Sequence, residues 1–248
     1  MVILSNRLKQ IAERVPAGSK LADIGSDHAL LPVYLVQSGA IPAAIAGEVN
    51  PGPYAAAMQQ VRDAGLTAAI QVRRGDGLSV LQPDEVETIT IAGMGGSLIV
   101  KILSAGEDKL GVVKRLVLQP NVGEEFVRRY LVEKEWLLTE EAILEEDGKI
   151  YEILVAERNN DVQRKNERLY DANPSMLLKM GPFLLQEASP VFVQKWHGEI
   201  AKLERISEQL DESELAASKA KKQELDREIQ TLKEVLLACT QKDKPSFS

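Results

Sequence analysis

Six residues, Asp23-Ile24-Gly25-Ser26-Asp27-His28, close a short apolar run and stand directly before a helix-like stretch. A glycine at such a turn lets backbone approach a ligand closely, and the helix start offers free N–H groups. The local charge narrows what that ligand is. A dinucleotide turn uses G-x-G-x-x-G to admit a diphosphate, and here the second and third glycines are replaced by Asp27 and Leu30. Carboxylates in the turn repel a diphosphate. They accept S-adenosylmethionine (SAM), whose methionyl ammonium and sulfonium are both positive. Asp23 and Asp27 therefore favour SAM over NAD.

Further candidates follow at strand-like ends. Glu48 lies 23 residues after Gly25, a spacing at which an acid accepts hydrogen bonds from ribose hydroxyls; it also reads as a surface acid. Asp76, between Gly75 and Gly77, could take an adenine amino group or simply form a turn. Ile91-Ala92-Gly93-Met94-Gly95-Gly96 lacks the Asn/Asp-Pro-Pro-aromatic acceptor of enzymes that methylate exocyclic amines. Its glycines leave backbone groups and space for a flat base, or permit a tight turn. Asn121, in Gln119-Pro120-Asn121, carries an amide that could meet a base edge.

The elements that must position these groups alternate. Apolar runs at 21–25, 43–48, 69–73, 88–92 and 115–119 read as strands, with helices such as 53–64 and 97–105 between them, a βαβ pattern implying a parallel sheet. Two more strands, 136–143 and 150–156, flank Asp147-Gly148, a hairpin signal. A parallel sheet closed by an antiparallel hairpin is the methyltransferase variant of the Rossmann-like α/β fold. Residues 1–158 are expected to form this SAM-binding class I domain. The polar stretch 158–175 reads as a linker, and 176–190 holds a short helix around Gly181-Pro182. From Pro190 the periodicity is helical, with Trp196, Ile200, Leu203 and Leu210 on one seam and Leu225, Ile229, Leu232, Leu236 and Cys239 on another. A break at 211–213 predicts an antiparallel, coiled-coil-like α-helical hairpin, so that 159–248 form a second domain.

The chain has 248 residues and a net charge of −7. Glu133 to Asp147 alone carries seven acids and one lysine. The acidity is thus local, and it leaves room for an RNA-binding patch but not a whole basic face. One cysteine, Cys239, and two histidines, His28 and His197, argue against a disulfide framework or a metal centre. The first fifteen residues hold no apolar signal core, and no run approaches the roughly 18 residues of a membrane span; the cytoplasm is expected. Cys239 and Trp196 read as core residues. Lys219, Lys221 and Lys222 read equally as a solvated face or an RNA-backbone contact.

Asp23 to Ala29 (DIGSDHA), Gly47-Glu48-Val49, Ile91 to Gly96 (IAGMGG), Gln119-Pro120-Asn121, Ile143 to Glu146 and Pro190 to Trp196 together resemble the bacterial tRNA (adenine-N1)-methyltransferases of the TrmK type, which act at position 22. The likeness covers nearly the whole chain, with one departure: Leu30 stands where the family usually has Tyr. It implies a Rossmann-like catalytic domain and a coiled-coil-like domain, both holding tRNA. The residue chemistry agrees with N1, whose in-plane lone pair is nucleophilic without prior proton loss and mainly needs positioning. Asp27, His28 and Asn121 are the catalytic candidates for orienting the base or taking a proton. Asp23, Gly25, Ser26 and Glu48, with Asp76, Gly77, Gly93 and Met94, form the expected cofactor set. Arg7 and Gly95 are expected to face the substrate. A methyltransferase for small molecules or proteins, and a non-catalytic SAM-binding module with a partner-binding coiled coil, are the competing readings.

Overall fold

The structure is a computed structural model that describes residues 2–158, 162–171, 173–211 and 216–241. In the first unit the chain runs α1 (Asn6–Ala12), β1 (Leu21–Ile24), α2 (Leu30–Gln37), β2 (Ala44–Glu48), α3 (Pro51–Asp63) and β3 (Ile70–Arg74). A 3-10 turn (Gly77–Val80) follows, then β4 (Thr88–Gly95), α4 (Gly96–Ala105), β5 (Arg115–Val122), α5 (Glu124–Glu133), β6 (Leu137–Glu146), β7 (Lys149–Glu157) and α6 (Val162–Tyr170).

The seven strands form one sheet in the order β3-β2-β1-β4-β5-β7-β6. The first five strands are parallel, and β7 pairs antiparallel with both β5 and β6. β1 and β2 are buried along their whole length, as expected where helices cover both faces of a sheet. The order reverses between β1 and β4, and such a switch point opens a crevice at the carboxyl ends of the strands. The β6–β7 turn places Asp147 and Gly148 at φ of 52° and 70°, the two positive values of a type I′ hairpin. The guanidinium of Arg128 on α5 is fully buried between Glu141 and Glu152. Burial alone would lower its pKa, but the two carboxylates outweigh that and raise it.

Two boundaries differ from expectation. The chain divides into compact units at Ala172/Asn173, not at residue 158. The polar stretch after β7 contains α6, and Asn166 Nδ2 donates to the Trp136 carbonyl at 3.1 Å while Tyr170 is buried. α6 therefore belongs to the sheet domain through polar and aromatic contacts. β4 and β5 also run past their apolar cores, since Met94 and Gly95 register with Pro120 and Val122 across a bulge.

The second unit comprises α7 (Pro174–Met180), α8 (Pro182–Glu187), α9 (Pro190–Asp211) and α10 (Ala216–Gln241). Ser207 Oγ donates to Asp226 at 2.5 Å and Lys233 pairs with Glu204 at 2.6 Å. Contacts that run backward along α10 as they run forward along α9 make the two helices antiparallel. Trp196, Ile200, Leu225, Ile229, Leu232, Leu236 and Cys239 are buried, and Leu203 and Leu210 are partly so. The predicted break at 211–213 falls largely outside the described residues.

Candidate functional site

The turn after β1 is sewn to β2. Gly25 N and Ser26 N both donate to the Gly47 carbonyl, at 2.9 and 3.2 Å. Asp27 N donates to Glu48 Oε1 at 2.7 Å. The amides of Gly25, Ser26 and Asp27 are therefore engaged by β2, and the helix start expected to offer free N–H groups lies beyond them, where α2 opens at Leu30. The bonds hold an unusual backbone: Asp27, His28 and Ala29 have φ of 34°, 59° and 53°. Three left-handed non-glycine residues in succession are strained, at roughly 1–2 kcal/mol each. Glu48 is the side chain that fastens them, and its Oε2 takes no hydrogen bond among the described residues.

Asp23 is buried on β1. Its Oδ2 accepts from Ser26 Oγ at 2.5 Å and its Oδ1 from Thr90 Oγ1 at 2.6 Å. Burial pushes its pKa above the ordinary aspartate value, and the nearby Glu48 charge adds to the rise against the lowering effect of the two hydroxyls. Ser26 therefore serves Asp23 with its hydroxyl and Gly47 with its amide. Two buried carboxyl groups, Asp23 and Glu48, at neighbouring strand ends favour a cation beside them.

Gly25 has φ of +70°, and a Cβ there would lie 2.1 Å from Met94 Cε. The Met94 thioether thus lies over the β1 turn and joins the two sides of the switch-point crevice. Gly75 N donates to the Glu48 carbonyl at 2.9 Å, bringing the β3 turn alongside β2. Asp76 is exposed there, and Gly77, at φ +53°, abuts Ile102. Both line a groove of about 240 Å³ with Leu98, Lys101 and Ile102 of α4. Acids thus stand at the ends of three adjacent strands.

Across the switch point the organising residue is Gln119, which is fully buried. Its Oε1 accepts from Arg7 Nη1 at 2.5 Å and from Gly93 N at 3.1 Å. Its Nε2 donates to the Pro120 carbonyl at 2.9 Å and to Asn121 Oδ1 at 3.1 Å. Asn121 Nδ2 in turn donates to the Gly93 carbonyl at 2.8 Å. The network fixes which way the exposed Asn121 amide points and gathers Arg7, Gly93 and Asn121 at one place. The Arg7 guanidinium is also 5.2 Å from the Tyr151 ring centre. Gln119 was not singled out in the sequence reading, although a lone polar residue in the apolar run LVLQP must find partners if buried.

The glycines of the β4 turn divide their work. A Cβ on Gly93 or Gly95 would meet nothing nearer than 4.0 Å, so space lies open above both. Gly96 packs against the Gly123 carbonyl, which a Cβ would approach to 2.1 Å. Asp27 and His28 stand on the rim with side chains 79% and 57% exposed, and His28 Nε2 lies 3.6 Å from Asp27 Oδ1. Leu30 opens α2 and packs on the core. Among the described residues no cluster of three or more His, Cys, Asp or Glu could hold a metal ion.

Comparison with known proteins identifies the family. The family profile of the tRNA (adenine(22)-N(1))-methyltransferases, TrmK, matches residues 21–234. The tRNA (adenine(22)-N(1))-methyltransferase of Bacillus subtilis is 45% identical over 235 residues, covering 94% of this chain and 97% of that protein. The crystal structure of the B. subtilis m1A22 tRNA methyltransferase TrmK superposes with a TM-score of 0.89 at 44% identity, covering 95% of this chain and 100% of that one. A putative tRNA (m1A22) methyltransferase of Streptococcus pneumoniae, solved in complex with S-adenosyl-L-methionine, gives a TM-score of 0.82 at 44% identity, with 94% and 100% covered. The chain belongs to the tRNA (adenine(22)-N(1))-methyltransferase family.

Proposed function

We propose that this protein transfers the methyl group of SAM to N1 of adenine 22 in tRNA, in the cytoplasm. The observation that carries the reading is the placing of two buried carboxyl groups, Asp23 and Glu48, on one side of the topological switch point and the open Gly93 and Gly95 on the other. SAM supplies a methyl cation equivalent, which the N1 lone pair takes as the carbon–sulfur bond breaks, leaving the positive charge on the base.

Asp23 and Glu48 face the positive charge of the methionyl end and the sulfonium, and Glu48 Oε2 remains to accept from ribose hydroxyls. Asp76 and Gly77 border the adenine of the cofactor, and Met94 closes over Gly25. Gly93 and Gly95 admit the flat target base, and Asn121, its amide held by Gln119 and Gly93, meets that base at its edge. Arg7 approaches the same place from α1. Asp27 and His28, on the rim, orient the base, and the Asp27 charge offsets the cation formed on it.

Two results test this. Methyl transfer from labelled SAM to unmodified tRNA is expected to give 1-methyladenosine at position 22, and none when guanine replaces that adenine. N6-methyladenosine as the first product would overturn the N1 assignment. Cofactor binding should also depend on pH through Asp23. Its carboxyl has a raised pKa in the ligand-free fold, so its neutral form favours that fold, and this contribution fades as pH rises through the raised value. Arrival of a cation reverses the preference. Calorimetry in buffers of different ionisation enthalpy should therefore show proton release on SAM binding, with affinity rising as pH climbs above the ordinary aspartate value of about 3.9. Asp23→Asn should remove the proton release, and identical profiles for both proteins would exclude Asp23 as the source.

A further inference from the structure

Phe126 is the one exposed Phe, Tyr or Trp among the described residues. Its side chain stands at the carboxyl edge of the sheet, in the first turn of α5, with Val122 at the end of β5. Phe126 and Val122 are 55% and 67% exposed. Single exposed apolar residues are ordinary, but the placement of this pair is particular. Val122 registers with Gly95, and the Phe126 ring lies 3.0 Å from where a Cβ on Gly123 would be. The Gly123 carbonyl in turn packs on Gly96. The ring is thus seated on the backbone that forms the outer wall of the open turn.

The strand order gives this step its role. The proposed cofactor groups lie at the ends of β1, β2 and β3, the open Gly93 and Gly95 lie at the end of β4, and Val122 and Phe126 come next outward on β5 and α5. They are one place beyond the target base, where its neighbours in the RNA must pass. Glu124 and Glu125 share the first turn of α5, and Glu125 is paired with Arg129 at 2.6 Å; the apolar surface of Phe126 and Val122 itself suits a base face and not a phosphate. N1 lies on the pairing edge of adenine, and transfer requires the base to leave its pair and its stack.

We infer that Phe126, supported by Val122, is a positioning residue that stacks on the nucleotide next to adenine 22 and takes the place the extruded base leaves. This rests on the reading of the protein as a tRNA adenine methyltransferase. The test compares the full chain with Phe126→Ala, Phe126→Trp and Val122→Ser on two transcripts. One is unmodified tRNA, and in the other the nucleotide facing adenine 22 is replaced so that no pair forms. Phe126→Ala should keep its SAM affinity and lose about tenfold in kcat/KM on the first transcript, the scale of one base–aromatic stack. On the second transcript it should approach the parent protein. Phe126→Trp should retain activity on both, and Val122→Ser should show a smaller loss in the same direction. Undiminished methylation by Phe126→Ala, or equal loss on both transcripts, would overturn the inference. Failure of the parent protein to methylate adenine 22 in either transcript would instead overturn the functional reading beneath it.

Discussion

Glu48→Ala is expected to weaken SAM binding at least tenfold, by about 1.5–3 kcal/mol, the range for hydrogen bonds to a charged acceptor. The proposed function gives the residue two tasks. One oxygen holds Asp27 N at 2.7 Å, and the other is proposed to accept from the ribose hydroxyls. Alanine removes both, so the run of left-handed residues at 27–29 loses its fastening as the ligand loses its acceptor. Glu48→Gln separates the tasks. Its amide oxygen can still accept from Asp27 N, while the charge opposite the cofactor is lost and an N–H faces the ribose. Calorimetry should rank affinity as parent, then Gln, then Ala, with protection of the Asp27 amide against hydrogen exchange kept in Gln and lost in Ala. Unchanged affinity in a folded Glu48→Ala protein would remove this carboxylate from the cofactor site.

The sheet was readable because its signals are local. Buried strands are short apolar runs, and Asp147-Gly148 writes its turn type into two residues. α6 is the contrary case, since VQRKNERLY has little apolar content and docks through Asn166 and Tyr170, residues that also suit a linker. The acids of the site were legible as residue types at strand ends. What each one holds was not, because Glu48 to Asp27 and Gln119 to Arg7 are contacts across 21 and 112 residues. The glycines mislead in a similar way: Gly93 and Gly95 leave space, but Gly96 is required by packing, and only the neighbours distinguish them.

Removal of residues 173–248 is expected to leave SAM affinity within a few-fold and to reduce tRNA binding and methylation at least about tenfold, or 1.4 kcal/mol. The cut belongs after Ala172, since a cut at Asn160 would strip α6 from β6 and uncover Trp136 and Arg128. Every proposed cofactor residue and the whole sheet lie in the retained part. The case for tRNA loss is electrostatic. Eleven of the thirty Lys and Arg residues lie in 173–248, against twelve acids there, whereas residues 1–172 carry nineteen against twenty-five. Several of the eleven, including Lys202, Lys221 and Lys233, are paired with Glu199, Glu224 and Glu204. Those pairs are exposed and worth little, so a phosphate can compete for the lysines. Lys219 is exposed on the same helix. Phosphate contacts release counterions, so the difference between full and truncated chains should shrink as salt rises. Gel shifts at two salt concentrations, beside SAM calorimetry, measure it. Full tRNA affinity in the truncated protein would show that α9 and α10 serve some other partner.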